Sequence, residues 1–258
     1  MSLSGVPVVM VHGAFCGGWT FDRFRRPFEA AGATVLTPDL RGHRAGDAPE
    51  AVRNVSMADY AADIAHLCRN QPEPPVLIGH SMGGLVAQLA ARRVGVRALV
   101  LLAPSAPWGV AGSSIEEAVT AWGLHMMGPF WTQAVPPDRG LMLRYSLERM
   151  PPGERRPVLS KMCSESGRAL WETLNWWLDP FMTTSVGAGS LAAPSLVITG
   201  EQDLVHPPAT GQAVASRLGG EFRLAKGMSH WLPGEPGWQE IASLAMSWLG
   251  QKQASNQV

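Results

Sequence analysis

The stretch PVLIGHSMGGLVAQLAA, residues 75–91, decides the fold. It passes from a short apolar run to a helical pattern of small residues through a turn in which Gly79 and Gly83 flank Ser81. A G-x-S-x-G turn between a strand and a helix is typical of a nucleophile elbow, which exposes a serine at a strained backbone position. We therefore interpret Ser81 as a candidate nucleophile. The alternative is a glycine-lined turn whose serine has no chemical role.

Short apolar segments rich in β-branched residues predict a sheet. Their apolarity is continuous rather than alternating, which is typical of parallel strands covered by helices on both faces. Strands are predicted at 6–12, 33–39, 75–80, 97–104, 195–200 and, more weakly, 221–226, and helices at 20–31, 56–70, 82–93, 208–218 and 236–249. This alternation predicts an α/β fold with a mostly parallel sheet of about six strands and helices on both faces.

One long segment interrupts the alternation, since no convincing strand pattern occurs between Pro107 and Leu191. We predict an α/β core made of residues 1–106 and 191–258, and a helical cap made of residues 107–190. Together, Trp and Met suit an apolar pocket roof over the serine, and the alternative is that they only pack the insertion together. The insertion holds six of the ten Trp (108, 122, 131, 171, 176 and 177) and six of the twelve Met (126, 127, 142, 150, 162 and 182).

The overall composition indicates which partners and which cellular location to expect. Lys and Arg together number 21, as do Asp and Glu, so the chain has no net charge that would favour nucleic acid or an anionic membrane. The three cysteines are widely spaced and form neither a metal pattern nor a disulfide framework. The first apolar run, Val6–Val11, is too short for a signal sequence or a membrane span. We predict a cytoplasmic protein with a small-molecule substrate and neither cofactor nor metal; its oligomeric state stays open.

A serine nucleophile needs a general base and an acid that orients the base. After a G-x-S-x-G elbow, the order along the chain is Ser, then Asp or Glu, then His. Asp203 follows the predicted strand 195–200, and His230 follows the strand 221–226. Because the carboxyl ends of parallel strands meet at one edge of the sheet, we predict a catalytic triad of Ser81, His230 and Asp203.

Other residues are weaker candidates for the same roles. Glu201 is the second choice for the acid, and Asp179 is the third because it lies in the insertion. His206 shares a loop with Asp203, so it would have to fold back to act as the base. His125 lies in the insertion, where it could contact a ligand.

The negative charge that develops on a tetrahedral intermediate is stabilised by preset N–H donors, which together form an oxyanion hole. One donor is the N–H of the residue after the nucleophile, Met82, and the other comes from the loop after the first strand. That loop, HGAFCGGW at residues 12–19, has three glycines, which allow its backbone to approach a substrate closely. The alternative is an ordinary β-to-α turn.

With these motifs the chain resembles the α/β-hydrolase superfamily along nearly its whole length. The glycine-rich first loop is similar to that of the plant methylesterase and hydroxynitrile lyase branch and of many bacterial esterases. The resemblance implies an α/β-hydrolase fold and implies that Ala14 supplies the second oxyanion donor, with Phe15 as the alternative. The motifs that carry it are HGAFCGGW (12–19), GHSMGG (79–84), GEQDLVHP (200–207) and the late Ser229-His230.

Departures from the family pattern limit what the resemblance implies. Hydroxynitrile lyases of this branch have threonine and lysine where this chain has Gly13 and Trp231, which argues against lyase activity. Haloalkane dehalogenases and epoxide hydrolases use an aspartate nucleophile, and Ser81 argues against both. The family core commonly has two strands before the first one predicted here. Only five residues precede Val6, so we expect a six-stranded version of the sheet that lacks these two strands, unless another chain supplies an edge.

We predict a serine hydrolase that cleaves an apolar ester, thioester or lactone through an acyl-enzyme on Ser81. The predicted substrate pocket includes Phe15, Trp108, Trp131 and Trp231. An acyltransferase or cyclase, a carbon–carbon bond hydrolase and a cofactor-free haloperoxidase-like enzyme would use the same triad. A non-catalytic ligand-binding protein on this fold is the alternative from another class.

Overall fold

A parallel sheet of six strands forms the centre of the protein. The computed structural model describes residues 3–112, 122–124, 126 and 128–255. Its strands are β1 (Pro7–Val11), β2 (Thr34–Leu36), β3 (Val76–His80), β4 (Ala98–Leu102), β5 (Ala134–Val135), β6 (Glu165–Ser166), β7 (Ser195–Gly200) and β8 (Glu221–Ala225). The order in the main sheet is β2-β1-β3-β4-β7-β8, and each neighbouring pair is parallel. The predicted parallel six-stranded sheet is confirmed.

The helices begin and end at local signals in the sequence. The α-helices whose bounds lie within the described residues are α1 (Arg26–Ala30), α2 (Met57–Arg69), α3 (Met82–Ala91), α4 (Arg139–Leu141), α5 (Pro152–Lys161), α6 (Gly167–Leu174), α7 (Pro208–Leu218) and α8 (Trp238–Ser255). α2 begins with a capping box, in which Ser56 Oγ accepts the Asp59 N–H at 3.1 Å and the Asp59 carboxylate accepts the Ser56 N–H at 2.9 Å. α4 continues as a π-helix over Met142–Ser146.

The four inner strands of the sheet, β1, β3, β4 and β7, are buried on both faces along their whole length, which explains their continuous apolar pattern. In β1, Val9 and Val11 pack on one face with the side chains of α2 and α3, whereas Val8 and Met10 pack on the other face. This alternation follows from the two-residue period of a strand. Each of these four strands therefore contributes to two hydrophobic layers, as the continuous apolar pattern predicted.

The segment after the first strand is less regular than predicted. In place of one helix over 20–31, the chain forms a 3₁₀ turn at Gly18–Phe21 and then the short α1. Its three phenylalanines, Phe21, Phe24 and Phe28, are nevertheless fully buried against the sheet. A common apolar face therefore indicated burial correctly, although the helix is interrupted.

The segment between β4 and β7 holds the small second sheet. β5 and β6 pair antiparallel, so the expectation that this segment lacks strands is wrong. These two-residue strands are too short to leave a pattern in the sequence. The predicted site residue His125 and the predicted roof residue Met127 lie outside the described residues. The division into core and cap at residues 107 and 190 stays a prediction.

The three cysteines of the chain form no disulfide bond. Cys16, Cys68 and Cys163 are unpaired, and burial raises the pKa of the Cys68 and Cys163 thiols to about 11. Both thiols are therefore protonated at neutral pH, which makes them poor nucleophiles.

Within the described residues, no helix combines the length and the apolarity needed to cross a membrane.

Candidate active site

Ser81 lies at a sharp turn between β3 and α3. Its backbone has φ 54° and ψ −126°, a conformation that costs an L-residue about 1–3 kcal/mol. A Cβ atom on Gly83 would lie 2.2 Å from the His12 carbonyl oxygen, and one on Gly79 would lie 2.4 Å from the Gly83 carbonyl oxygen. Both positions therefore exclude any side chain. The serine stands at the N-terminus of α3, where the helix dipole favours negative charge.

The structure brings Ser81, His230 and Asp203 together. Ser81 Oγ lies 3.0 Å from His230 Nε2, and the Nδ1–H of His230 donates to Asp203 Oδ2 at 2.9 Å. The other carboxylate oxygen, Oδ1, accepts the N–H groups of Val205 and His206 at 2.9 and 2.8 Å. These bonds fix the carboxylate, which in turn favours the imidazole tautomer whose Nε2 can accept a proton from Ser81.

The alternative acids lie elsewhere. The Glu201 carboxylate accepts the N–H of Gly227 at 2.9 Å. The Asp179 carboxylate accepts the N–H groups of Phe181 and Thr183 at 2.9 and 2.6 Å. Among the hydrogen bonds of the described residues, only Asp203 joins a carboxylate to His230.

Two opposing effects set the pKa of His230. Burial of the ring lowers the pKa, but the charge of Asp203 and the hydrogen bond to it outweigh burial and raise the pKa above its ordinary value. Glu148 and Glu235 act in the same direction. The imidazolium form is therefore stabilised, as a base that takes up a proton from serine requires.

Two other histidines support the elbow and its base. His80 Nε2–H donates to the carbonyl oxygen of His230 at 2.9 Å and so holds the backbone of the predicted base. His12 Nδ1–H donates to the Gly13 carbonyl oxygen at 2.9 Å, and its Nε2 accepts the Leu40 N–H at 3.0 Å. Burial lowers the pKa of His12 to about 4, so this ring is neutral at neutral pH.

The predicted oxyanion donors belong to the first loop and to the start of α3. Ala14 and Met82 line the same pocket as Ser81, and across the described residues neither N–H has a hydrogen-bond acceptor. A Cβ atom on Gly13 would lie 3.0 Å from Ser81 Cβ, so the first loop packs closely against the elbow. The Phe15 N–H instead points to Glu165 Oε2 at 3.4 Å. The geometry favours Ala14 over Phe15 as the second donor.

An apolar pocket opens above Ser81 and encloses about 960 Å³ of empty space, part of which is open solvent. Phe15 and Trp231 line it, but the other two predicted pocket residues do not. The indole N–H of Trp108 donates to the Asp179 carbonyl oxygen at 3.2 Å, and Trp131 is exposed with its ring against Phe130. The insertion instead contributes Leu141, Met142, Tyr145, Met162, Leu170 and Leu174.

This lining gives a prediction about selectivity. Met142→Ala enlarges the pocket, so we expect the ratio of kcat/KM for bulky over short acyl esters to change by about 1–3 kcal/mol. Trp131→Ala removes a large side chain outside the pocket and should keep the wild-type ratio. Steady-state kinetics on an ester series measures both, and a change confined to Trp131→Ala would contradict this assignment of the lining.

A buried ionic cluster beside the site left no signal in the sequence. The fully buried Glu165 of β6 accepts hydrogen bonds from Tyr60 Oη at 2.7 Å and from the Ser166 N–H at 2.7 Å. His43 Nε2 lies 3.0 Å from its second oxygen, the oxygen that the Phe15 N–H also approaches. Burial raises the pKa of Glu165, but His43 and the hydrogen bonds outweigh it and lower the pKa. The cluster ties the inserted segment to the first loop.

We expect Glu165→Ala to lower the free energy of unfolding by about 3–5 kcal/mol, because it leaves buried polar partners without their acceptor. Glu73→Ala is the matched control, since its carboxylate is exposed and pairs with Arg97 at 2.5 Å. Exposed pairs contribute at most about 1 kcal/mol. Urea denaturation of both variants measures the difference, and equal losses would show that the buried cluster has no special role.

Comparison with known proteins agrees with the fold and the order of the motifs. Residues 8–244 match the profile of the group described as the alpha/beta hydrolase family. The chain belongs to the alpha/beta hydrolase family.

In the ranges that the structure describes, no three His, Cys, Asp or Glu side chains are grouped so that they could hold a metal ion.

The hydrolase is similar to several ester-cleaving proteins. It is 26% identical over 225 residues to the pyrethroid hydrolase of Sphingobium wenxiniae, with 83% of this chain and 76% of that protein covered. It is 24% identical over 257 residues to the monoacylglycerol lipase of Mycolicibacterium smegmatis, with 94% and 87% covered. The crystal structure of the Arabidopsis methylesterase MES16 superposes with a TM-score of 0.71 at 16% identity, covering 94% and 98%. Ester hydrolysis is therefore supported for the family to which this enzyme belongs.

Proposed function

We propose that this hydrolase is a serine esterase that cleaves an uncharged, largely apolar ester, thioester or lactone through an acyl-enzyme on Ser81. The observation that carries the proposal is the chain of contacts from Ser81 Oγ to His230 Nε2 and from His230 Nδ1 to Asp203, at 3.0 and 2.9 Å, on the wall of an apolar pocket. A serine, an imidazole and a carboxylate in this order are the arrangement that acyl transfer requires.

The chemistry proceeds in two halves. Ser81 Oγ attacks the carbonyl carbon while His230 Nε2 takes the serine proton, and the Ala14 and Met82 N–H groups hold the negative oxygen. The intermediate collapses, His230 returns the proton to the leaving alcohol or thiol, and the acyl group stays on Ser81. Water then attacks the acyl-enzyme, giving its proton to His230, and the acid leaves as Ser81 regains the proton.

The wall of the pocket supports the substrate class. Of the described residues that line it, none is Lys, Arg, Asp or Glu. Two of its three histidines, His80 and His206, are kept neutral because burial lowers their pKa, and the third, His230, is the proposed base and acts in its neutral form. Burying a charged substrate group there would leave it without an opposite charge, which is costly. The esterase and lipase relatives support the same class. The cytoplasmic location stays a prediction.

Two assays test this proposal. A panel of p-nitrophenyl esters, thioesters and lactones should be hydrolysed, and a fluorophosphonate probe should label Ser81, as identified by peptide mass spectrometry. Product analysis with alcohol and amine acceptors separates hydrolysis from acyl transfer. A protein that neither turns over any member of the panel nor reacts with the probe would instead be a binding protein on this fold.

The pKa of His230 gives a prediction of pH dependence. The neutral imidazole is the active form, so kcat/KM rises with pH through the pKa of the free enzyme. Because Asp203 outweighs the effect of burial and raises that pKa, the acid limb should lie above the ordinary value of 6.5. A pH profile of kcat/KM with a slow substrate measures the limb. An acid limb well below pH 6.5 would show that Asp203 does not outweigh the effect of burial on the pKa of His230.

A further inference from the structure

Ser229, the residue before the predicted base, is bound to two carboxylates. Its N–H donates to Glu235 Oε1 at 2.7 Å, and its hydroxyl donates to Glu148 Oε1. Ser229 and Glu235 are fully buried, and Glu148 is half-buried. Both donors of the serine are therefore used to fix the backbone that carries His230. The proposed catalytic steps use neither of the two glutamates.

Glu148 connects the inserted segment to the loop of the base. It follows the π-helix Met142–Ser146, three residues of which line the pocket. Leu147 belongs to the same buried apolar cluster as Trp231, the residue after His230. Residues 147 and 148 are therefore linked to the chain on both sides of the base, so the segment that forms part of the pocket wall also supports this loop.

The backbone of Glu148 is fixed, and no ion pair of the described residues neutralises its carboxylate. Arg155 on α5 donates to the carbonyl oxygens of Glu148 and Met150 at 2.7 and 2.8 Å. Arg149 is exposed and donates to Gln202 Oε1 at 3.0 Å. Across the described residues, the second carboxylate oxygen of Glu148, Oε2, is buried and accepts no hydrogen bond. Because the charge of Glu148 is neither paired nor fully solvated, it acts on neighbouring groups.

Several charged groups act on His230. Burial lowers the pKa of the imidazole, whereas Asp203, Glu148 and Glu235 raise it, in decreasing order of effect. Burial and the charge of Glu148 raise the pKa of Glu235 to about 7, although its bond from the N–H of the preceding serine and the charge of Arg149 lower it. Glu235 is therefore partly protonated near neutral pH, which leaves Glu148 as the main second charge beside the base.

The neighbouring histidines add no charge to this set. The ring centroids of His80 and His206 lie 5.0 and 5.3 Å from that of His230, and burial lowers the pKa of both, so both rings are neutral at neutral pH. The loop of His206 does fold back, but its Nε2 lies 3.0 Å from the Oγ of Ser105, which also lines the pocket. Ser81 is thus left to His230.

We propose that Glu148 is a positioning residue for His230: through the Ser229 hydroxyl it holds the backbone of the base, and its negative charge stabilises the imidazolium that forms when Ser81 gives up its proton. This inference rests on the proposed esterase function and deepens it, because the inserted segment then supports catalysis as well as forming the pocket wall. A group that stabilises the imidazolium acts on the transition state and therefore on kcat.

Two substitutions separate the charge of Glu148 from its hydrogen bond. Glu148→Gln keeps an oxygen that accepts the Ser229 hydroxyl but removes the charge. We expect the acid limb of its kcat/KM profile to move to lower pH by about 0.3 pH unit or more, with kcat on the plateau within about threefold of the wild type. Glu235 offsets part of the change, because it ionises more readily beside a neutral residue 148. Glu148→Ala removes the bond as well, so kcat on the plateau should fall by about tenfold or more.

Glu154→Gln is the matched control, because Glu154 is a carboxylate of the same segment that pairs with Arg23 at 2.8 Å instead of with the loop of the base. It should keep the wild-type limb and the wild-type kcat. NMR titration of the His230 imidazole measures the same shift without a substrate. If Glu148→Ala fails to fold by near-UV circular dichroism, Ser229→Ala takes its place, since it removes the same hydrogen bond, and it should show the same loss in kcat.

The inference is overturned by an unchanged acid limb in Glu148→Gln, or by equal plateau kcat values in Glu148→Gln and Glu148→Ala. Glu148 would then be only a structural contact between the insertion and the core. A wild-type protein that hydrolyses no ester overturns the esterase function instead. In that case the NMR titration still decides whether Glu148 stabilises the imidazolium of His230, so the two failures are distinguishable.

Discussion

Replacement of Ser81 by alanine is expected to reduce kcat/KM on the best ester substrate by at least about 10⁴-fold while the protein stays folded. The proposed acyl-enzyme bond forms on the Oγ atom that the substitution removes, and the oxyanion donors of Ala14 and Met82 cannot replace a nucleophile. Removal of Oγ opens no core cavity, because the side chain lines the pocket. The thermal unfolding temperature should therefore stay close to that of the wild type.

Steady-state kinetics and fluorophosphonate labelling together measure this effect. Ser216→Ala is a suitable control, because Ser216 is exposed on α7 and its hydroxyl donates to the Gln212 carbonyl oxygen at 2.9 Å. It should keep full activity and full labelling. A Ser81→Ala protein that retains more than a few per cent of the wild-type rate, or that is still labelled in the same peptide, would assign the nucleophile to another residue.

Asp203→Asn is expected to have an effect of similar size, a loss on the order of 10⁴-fold in kcat. The amide oxygen of Asn can still accept the N–H groups of Val205 and His206, so the loop keeps its shape. Its amide nitrogen then faces His230 Nδ1 as a donor. The imidazole must carry its proton on Nε2 instead, where it can no longer accept the proton of Ser81.

Kinetics of three amide variants test this assignment. Glu201→Gln and Asp179→Asn are the matched controls, since their carboxylates accept backbone N–H groups away from His230. Both should stay within a few-fold of the wild-type kcat. The residual activity of Asp203→Asn should have an acid limb at lower pH, because the negative charge that raises the pKa of His230 is gone. A 10⁴-fold loss in either control variant, with an active Asp203→Asn, would reassign the acid.

The sheet and the proposed triad could be predicted from the sequence because a simple rule connects them. Parallel strands end at one edge of the sheet, so polar residues that follow separate strands meet there. Asp203 and His230 follow β7 and β8, and Ser81 follows β3 within a glycine pattern that only one backbone geometry explains. These signals are local, and the topology brings them together.

The pocket wall was not predictable in the same way. Composition indicated large apolar side chains in the insertion, but their direction depends on how several short helices pack. Trp108 and Trp131 therefore point away from the pocket, whereas Leu174 and Met142 line it. The pairing of Glu165 with His43 joins residues 122 positions apart and follows no periodic pattern. Ser105 could have been found by the strand-end rule, since it follows β4, but its partner depends on the turn around Asp203.

The strand order also bears on synthesis of the protein. From β3 onward, each new strand of the main sheet, β4, β7 and then β8, joins the edge formed by the strand before it. A chain that grows on the ribosome can therefore extend its sheet outward in the order in which it is made. The serine elbow emerges early, but His230 is 149 residues further along and follows the last strand. Under the proposed mechanism, an incomplete chain thus carries the nucleophilic hydroxyl without its base and stays inert until the final edge of the sheet is in place.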